Sequence, residues 1–80
     1  MATLLRTDGT QKKDISIVGL KRLQDLVGGY IEVVNLTDGR ILIVNEEGLL
    51  LKLPFNEQAS DLSSRPLVGD VILCKNSELN

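Results

Sequence analysis

An 80-residue chain of 8.8 kDa is large enough for one hydrophobic core and too small for two domains. Apolar residues make up 42% of it, 28 of them Leu, Ile and Val, which excludes disorder, and no apolar run exceeds four residues, far below the roughly 20 a membrane span needs. The net charge of −2 and pI near 4.9 speak against sequence-independent duplex binding, which requires clustered Lys and Arg.

A single cysteine, Cys74, excludes a disulfide framework and fits a reducing compartment, and with no histidine it cannot build a structural zinc site. No basic stretch followed by an apolar segment opens the chain, so a cytoplasmic protein without a signal peptide is expected. Only Tyr30 and Phe55 are aromatic, which leaves the core to Leu, Ile and Val. Small folds often need disulfides, metals or oligomerisation for stability. Only the third is open here, so a homo-oligomer is expected.

In chain order, Ala2–Arg6 reads as a short strand closed by the turn residues Asp8-Gly9, with Lys12–Ile17 as its hairpin partner. From Leu20 the period changes. Leu20, Leu23 and Val27 fall on one helical face while Lys21, Arg22, Gln24 and Asp25 face away, predicting a helix over Gly19–Val27. Gly28-Gly29 then stops it by supplying a left-handed residue. Two β-branched runs, Tyr30–Val34 and Arg40–Val44, flank the turn Thr37-Asp38-Gly39 and predict an antiparallel hairpin. Residues 41–44 lack alternation, which predicts a strand covered on both faces, by the helix on one side and by another segment or subunit on the other.

Asn45-Glu46-Glu47-Gly48 reads as a second turn and Leu49–Leu53 as a further meander strand ended by Pro54. Asn56 is expected to cap a short helix through Leu62, with Ser60–Pro66 polar and loop-like. Val71–Cys74 is the last strand. The expected architecture is therefore α+β: a small antiparallel sheet of four or five strands, built as hairpins and meander and packed by one or two short helices. The domain spans 1–75, and 76–80 is a frayed polar tail.

For chemistry, the absence of histidine leaves acid–base work to Asp, Glu, Lys or Tyr. Glu46 and Glu47 are adjacent and point apart, so a solvated turn is the simplest reading, and Asp38 and Asp70 beside glycines are turn formers. Cys74 ends an apolar strand and reads as a small buried hydrophobe. Gly28-Gly29 lie between a helix end and a strand, the wrong place for a phosphate loop. Tyr30 and Phe55 are the side chains able to stack on a base, with core filling the favoured role of Phe55.

The blocks Leu23–Val34 (containing LVGGYIEVV), Asn45-Glu46-Glu47-Gly48, Leu53-Pro54-Phe55-Asn56 and Val68-Gly69-Asp70-Val71 resemble a family of small uncharacterised proteins of phages, plasmids and bacteria, classed as a domain of unknown function. The resemblance covers roughly residues 12 to 75. It implies a compact α+β fold, a mobile-element setting and no established catalytic residues, with Asn45, Glu46, Glu47, Pro54 and Asn56 at the family's polar positions. Some similar-sized phage proteins are nucleotide sponges that trap the cyclic signals of CBASS or Thoeris immunity uncleaved. By that analogy, the expected function is non-enzymatic sequestration of a cyclic nucleotide between subunits, with no cofactor or metal. Tyr30 would stack on a base, Lys52 and Arg65 would contact phosphate, Asn45 and Asn56 would read polar groups, and Glu46, Glu47 and Phe55 would complete the ligand-binding set. The alternative is a protein–protein interaction module that inhibits a host protein through its acidic turn or a strand edge. A metal-assisted enzyme using Glu46, Glu47 or Asp70 is a further, weaker alternative.

Overall fold

The structure, a computed structural model, describes residues 2–79. Its elements are β1 (Ala2–Leu5), β2 (Gln11–Ile15), α1 (Leu20–Val27), β3 (Ile31–Asn35), β4 (Arg40–Asn45), α2 (Glu57–Ser63) and β5 (Val71–Lys75), followed by a 3₁₀ turn over Asn76–Leu79. The five strands form one antiparallel sheet in the order β2-β1-β5-β4-β3. The α+β architecture expected from the sequence is therefore the one observed. Its topology is two hairpins, β1–β2 and β3–β4, with the last strand inserted between them, rather than a continuing meander.

Both faces of the sheet are buried. Ile41 and Ile43 of β4, Ile72 and Cys74 of β5, and Ala2 and Leu4 of β1 pack under Leu23 and Val27 of α1. Leu42 and Val44, Val71 and Leu5 face the other way and pack with Ala59 of α2 and Leu67. This explains the missing alternation at 41–44, and the second cover is a segment of the same chain rather than another subunit.

The first hairpin turns at Gly9 (φ 90°), where the Asp8 carboxylate accepts from the Thr10 amide and hydroxyl. β2 begins one residue earlier and ends two residues sooner than its sequence pattern predicts. It is exposed from Gln11 to Asp14, so the alternation of Ile15 and Ile17 is not strand alternation. Ile17 lies beyond the strand and packs against the α1-side core. α1 ends as expected, with Gly28 left-handed and the amides of Gly28 and Gly29 both donating to the Gln24 carbonyl. At the tail, Lys75 belongs to β5, and Asn76–Leu79 form the 3₁₀ turn, where Glu78 accepts from the Lys75 amide; Asn80 lies outside the described residues.

One expectation between β4 and β5 fails: Leu49–Leu53 is not a strand. The helix expected through Leu62 is observed and runs one residue further, so the loop begins after Ser63 rather than at Ser60. Ser60 is buried because its hydroxyl both donates to the Leu67 carbonyl and accepts from the Leu67 amide, closing the loop after α2 onto the helix. Asn56 caps α2 as expected, its side-chain oxygen accepting from the Ala59 amide. It does more. Fully buried, it also donates to the carbonyls of Leu5 at 2.9 Å and Gly69 at 2.8 Å.

Asn56→Ala removes the cap and both bonds to these buried carbonyls, so chemical denaturation should show a loss of about 2–4 kcal/mol. Asn56→Asp keeps the capping oxygen but turns a carboxylate on those carbonyls, and should be at least as damaging despite aspartate's equal merit as a cap. If the aspartate variant retained wild-type stability, the two donated bonds would be irrelevant to the fold.

Candidate functional site

The segment between β4 and α2 is where the sequence placed most of its candidates, and a single turn organises it. The amide of Leu51 donates to the Glu47 carbonyl, Lys52 to Leu49, and Leu53 to Gly48. This pairing is a one-turn helix closed by a Schellman-type cap, with Lys52 as the left-handed residue (φ 55°). The turn is seated tightly. A Cβ on Gly48 would come within 2.7 Å of Val68, and one on Gly69 within 2.7 Å of Leu53. A helical turn spreads consecutive side chains around its axis, so Leu49, Leu50 and Leu51 all project outward, 78%, 80% and 55% exposed.

Beside this turn lies a cavity of about 350 Å³ bordered by Leu49 and Leu50, by Glu32 of β3, by Glu46, and by Arg65 to Val68. Glu32 and Val44 are cross-strand partners on the α2 side of the sheet, which places the floor. Arg65 follows the left-handed Ser64 that ends α2. Among the described residues, Arg65, Glu32 and Glu46 make no ion pair, so the cavity presents two carboxylates and one guanidinium on apolar walls.

Of the expected site residues, Asn45, Glu46 and Arg65 border this cavity, while Tyr30, Glu47, Lys52, Phe55 and Asn56 do not. The two asparagines do not present their amides for recognition. Asn45 donates to the Val27 carbonyl and accepts from the Glu47 amide, tying the β4 end to the end of α1. Asn56 is committed as described above. Lys52 is exposed and has a backbone role, shaping the turn rather than facing the cavity.

Phe55 corrects its expected core-filling role, being 55% exposed. The extended stretch Pro54–Asn56 pairs with Leu67–Gly69, and Asn56 takes the inward position, so Phe55 alternates outward. Tyr30 is also exposed, next to the β3–β4 register closed by the Glu46 amide on the Tyr30 carbonyl. Asp70 is more than a turn former, accepting from the Thr7 amide across the chain. Cys74 is buried, and burial pushes its thiol up, with Glu78 adding to the effect. The feature not legible in the sequence is the leucine run itself: an apolar run of this length matches a strand, and periodicity alone does not decide against one.

The chain belongs to the family described as a domain of unknown function (DUF3846), whose family model matches residues 1–79. No curated protein matches the chain, and neither does any solved structure. No helix among the described residues is long and apolar enough to cross a membrane.

The cap geometry carries a stability prediction. Lys52→Gly relieves a left-handed side-chain residue at a cost in chain entropy, a net gain of about 0.5–1 kcal/mol. Thermal unfolding should shift upward by a few degrees, and a lower melting temperature would mean the lysine side chain itself holds the turn.

Proposed function

We propose that the chain is a non-enzymatic docking protein that engages a protein partner through the Leu49–Leu51 turn and the cavity beside it. The observation that carries this reading is the turn. Three consecutive leucines are held out to solvent by a capped backbone that is itself seated against Val68 and Gly69. An exposed apolar cluster on a firmly placed element favours a partner with an apolar face. The mixed charges of Glu32, Glu46 and Arg65 at its border favour a partner carrying both signs over a polyanion. In the phage or mobile-element setting that the sequence resemblance implies, that partner is a bacterial host protein.

Sequestration of a cyclic nucleotide draws on fewer features. Exposed Tyr30 and Arg65 at the cavity favour it, while the carboxylates of Glu32 and Glu46 repel phosphate.

A photo-crosslinking residue at Leu50 tests the docking reading. It should give one discrete heteromeric adduct in host cells, with none from the same residue at Asp61 on α2. The purified partner should then bind Leu50→Ser at least about tenfold more weakly, a loss of about 1.4 kcal/mol, with the melting temperature of the variant unchanged. Partner binding indifferent to Leu50, or a cyclic dinucleotide that shifts the NMR signals of Tyr30 and Arg65, would overturn the docking reading.

A further inference from the structure

The two edges of the sheet are treated differently. At the β2 edge, Lys12 and Lys13 are exposed, the register against β1 shifts between Ala2 and Leu4, and Asp14 is left-handed at φ 57°. Lysines and a bulge are the devices by which an edge strand is kept from pairing with another chain. The β3 edge has none of them. Its register with β4 is unbroken over five pairs from Ile31 to Asn35, it contains no lysine or proline, and it carries Ile31, Val33 and Val34.

The backbone parity of β3 is set by its ends. The Tyr30 carbonyl accepts from Glu46 and the Leu36 amide donates to Arg40, both toward β4. In an antiparallel ladder the amide and carbonyl of one residue point to the same side, and successive residues alternate. Glu32 and Val34 therefore face β4, and Ile31, Val33 and Asn35 turn three N–H and three C=O groups to the open edge. β3 has no strand on that side.

We infer that β3 is a self-pairing edge, and that a second copy of this chain adds its own β3 antiparallel across a twofold axis at Val33. In that register Val33 pairs with its own copy and Ile31 with Asn35 of the other chain. All twelve outward groups are then satisfied in six hydrogen bonds. The charges agree with it: Glu32 sits opposite the other chain's Val34, so no like charges face each other. Val33, 38% exposed on the α1 side of the edge, is covered at the centre of the contact. Two five-stranded sheets become one of ten strands, with both β2 edges outermost and guarded. Apart from Glu32, which also borders the cavity, this edge shares no residue with the leucine-turn surface, and the inference does not rest on the docking reading.

The test is sedimentation of the full chain together with two variants at Val33. The wild type should sediment as a dimer. Val33→Pro removes an outward N–H that bonds nothing within one chain, so the variant should keep its circular dichroism while its dimer dissociation constant rises at least about tenfold. Val33→Cys should form a symmetric disulfide-linked dimer under mild oxidation, because directly opposed residues of a hydrogen-bonded pair lie about 5.5 Å apart at Cα, inside the range a disulfide spans. Lys13→Cys on the β2 edge should not. A wild-type monomer at submillimolar concentration with no crosslink through Val33→Cys overturns the inference, whatever the leucine turn binds. Equal crosslinking through Lys13→Cys overturns it as well.

Discussion

The buried side chain of Asn56 is the junction on which the second half of the molecule depends. One amide group caps α2, holds the carbonyl at the end of β1 and holds the carbonyl that leads into β5. A buried amide costs free energy unless its groups are paired, and here the donor side and the acceptor side are both used, on three segments far apart in sequence. No buried side-chain polar atom among the described residues lacks a partner. The connection between β4 and β5 contributes little apolar surface of its own beyond Ala59 and Leu67. Polar bonds at Asn56 and Ser60 therefore fix a path that hydrophobic packing alone would leave loose.

That path matters because β5 completes the sheet. Each hairpin alone is a two-stranded ribbon with one apolar face too many, and such ribbons are marginal in water. Inserting β5 joins them through Leu4–Ile72 on one face and Leu42–Leu73 on the other. The last strand is thus the central one, and both core clusters contain its residues. A core built this way needs few aromatics, which is how 80 residues fold with one tyrosine and one phenylalanine, both on the surface.

Where local physics decides the structure, the sequence shows it. The Gly28 cap of α1, the Gly9 and Gly39 turns, the Asn56 cap and the two-sided burial of β4 all follow from backbone preferences or side-chain period within a few residues. Placement of β5 between the hairpins was hidden because strand order is a long-range property that no local pattern carries. Leu49–Leu53 misled for a different reason. An apolar run of strand length is ambiguous on periodicity alone, and the deciding facts are the wedge of Gly48 on Val68 and the left-handed backbone at Lys52, neither visible in composition. The candidate site suffered most from this. Arg65 and Glu46 were legible as charged loop residues, whereas Asn45 and Asn56, chosen as polar readers, are consumed by backbone carbonyls and amides.

The same distinction separates exposure that folding imposes from exposure it does not. Exposed leucines are ordinary on small proteins, and a floppy loop showing them would need no account. Here the exposure is held in place. Gly48 and Gly69 each admit a neighbouring side chain where a Cβ would not fit, and the turn they seat is closed by three backbone bonds. None of the three leucines belongs to either core cluster, and the bonds that close the turn are made by the backbone rather than by their side chains. Neither core therefore depends on apolar residues at 49, 50 and 51. What the leucines do serve is a surface, and a chain whose opposite edge is guarded by lysines and a bulge is one in which surfaces open to contact and surfaces closed to it are kept apart.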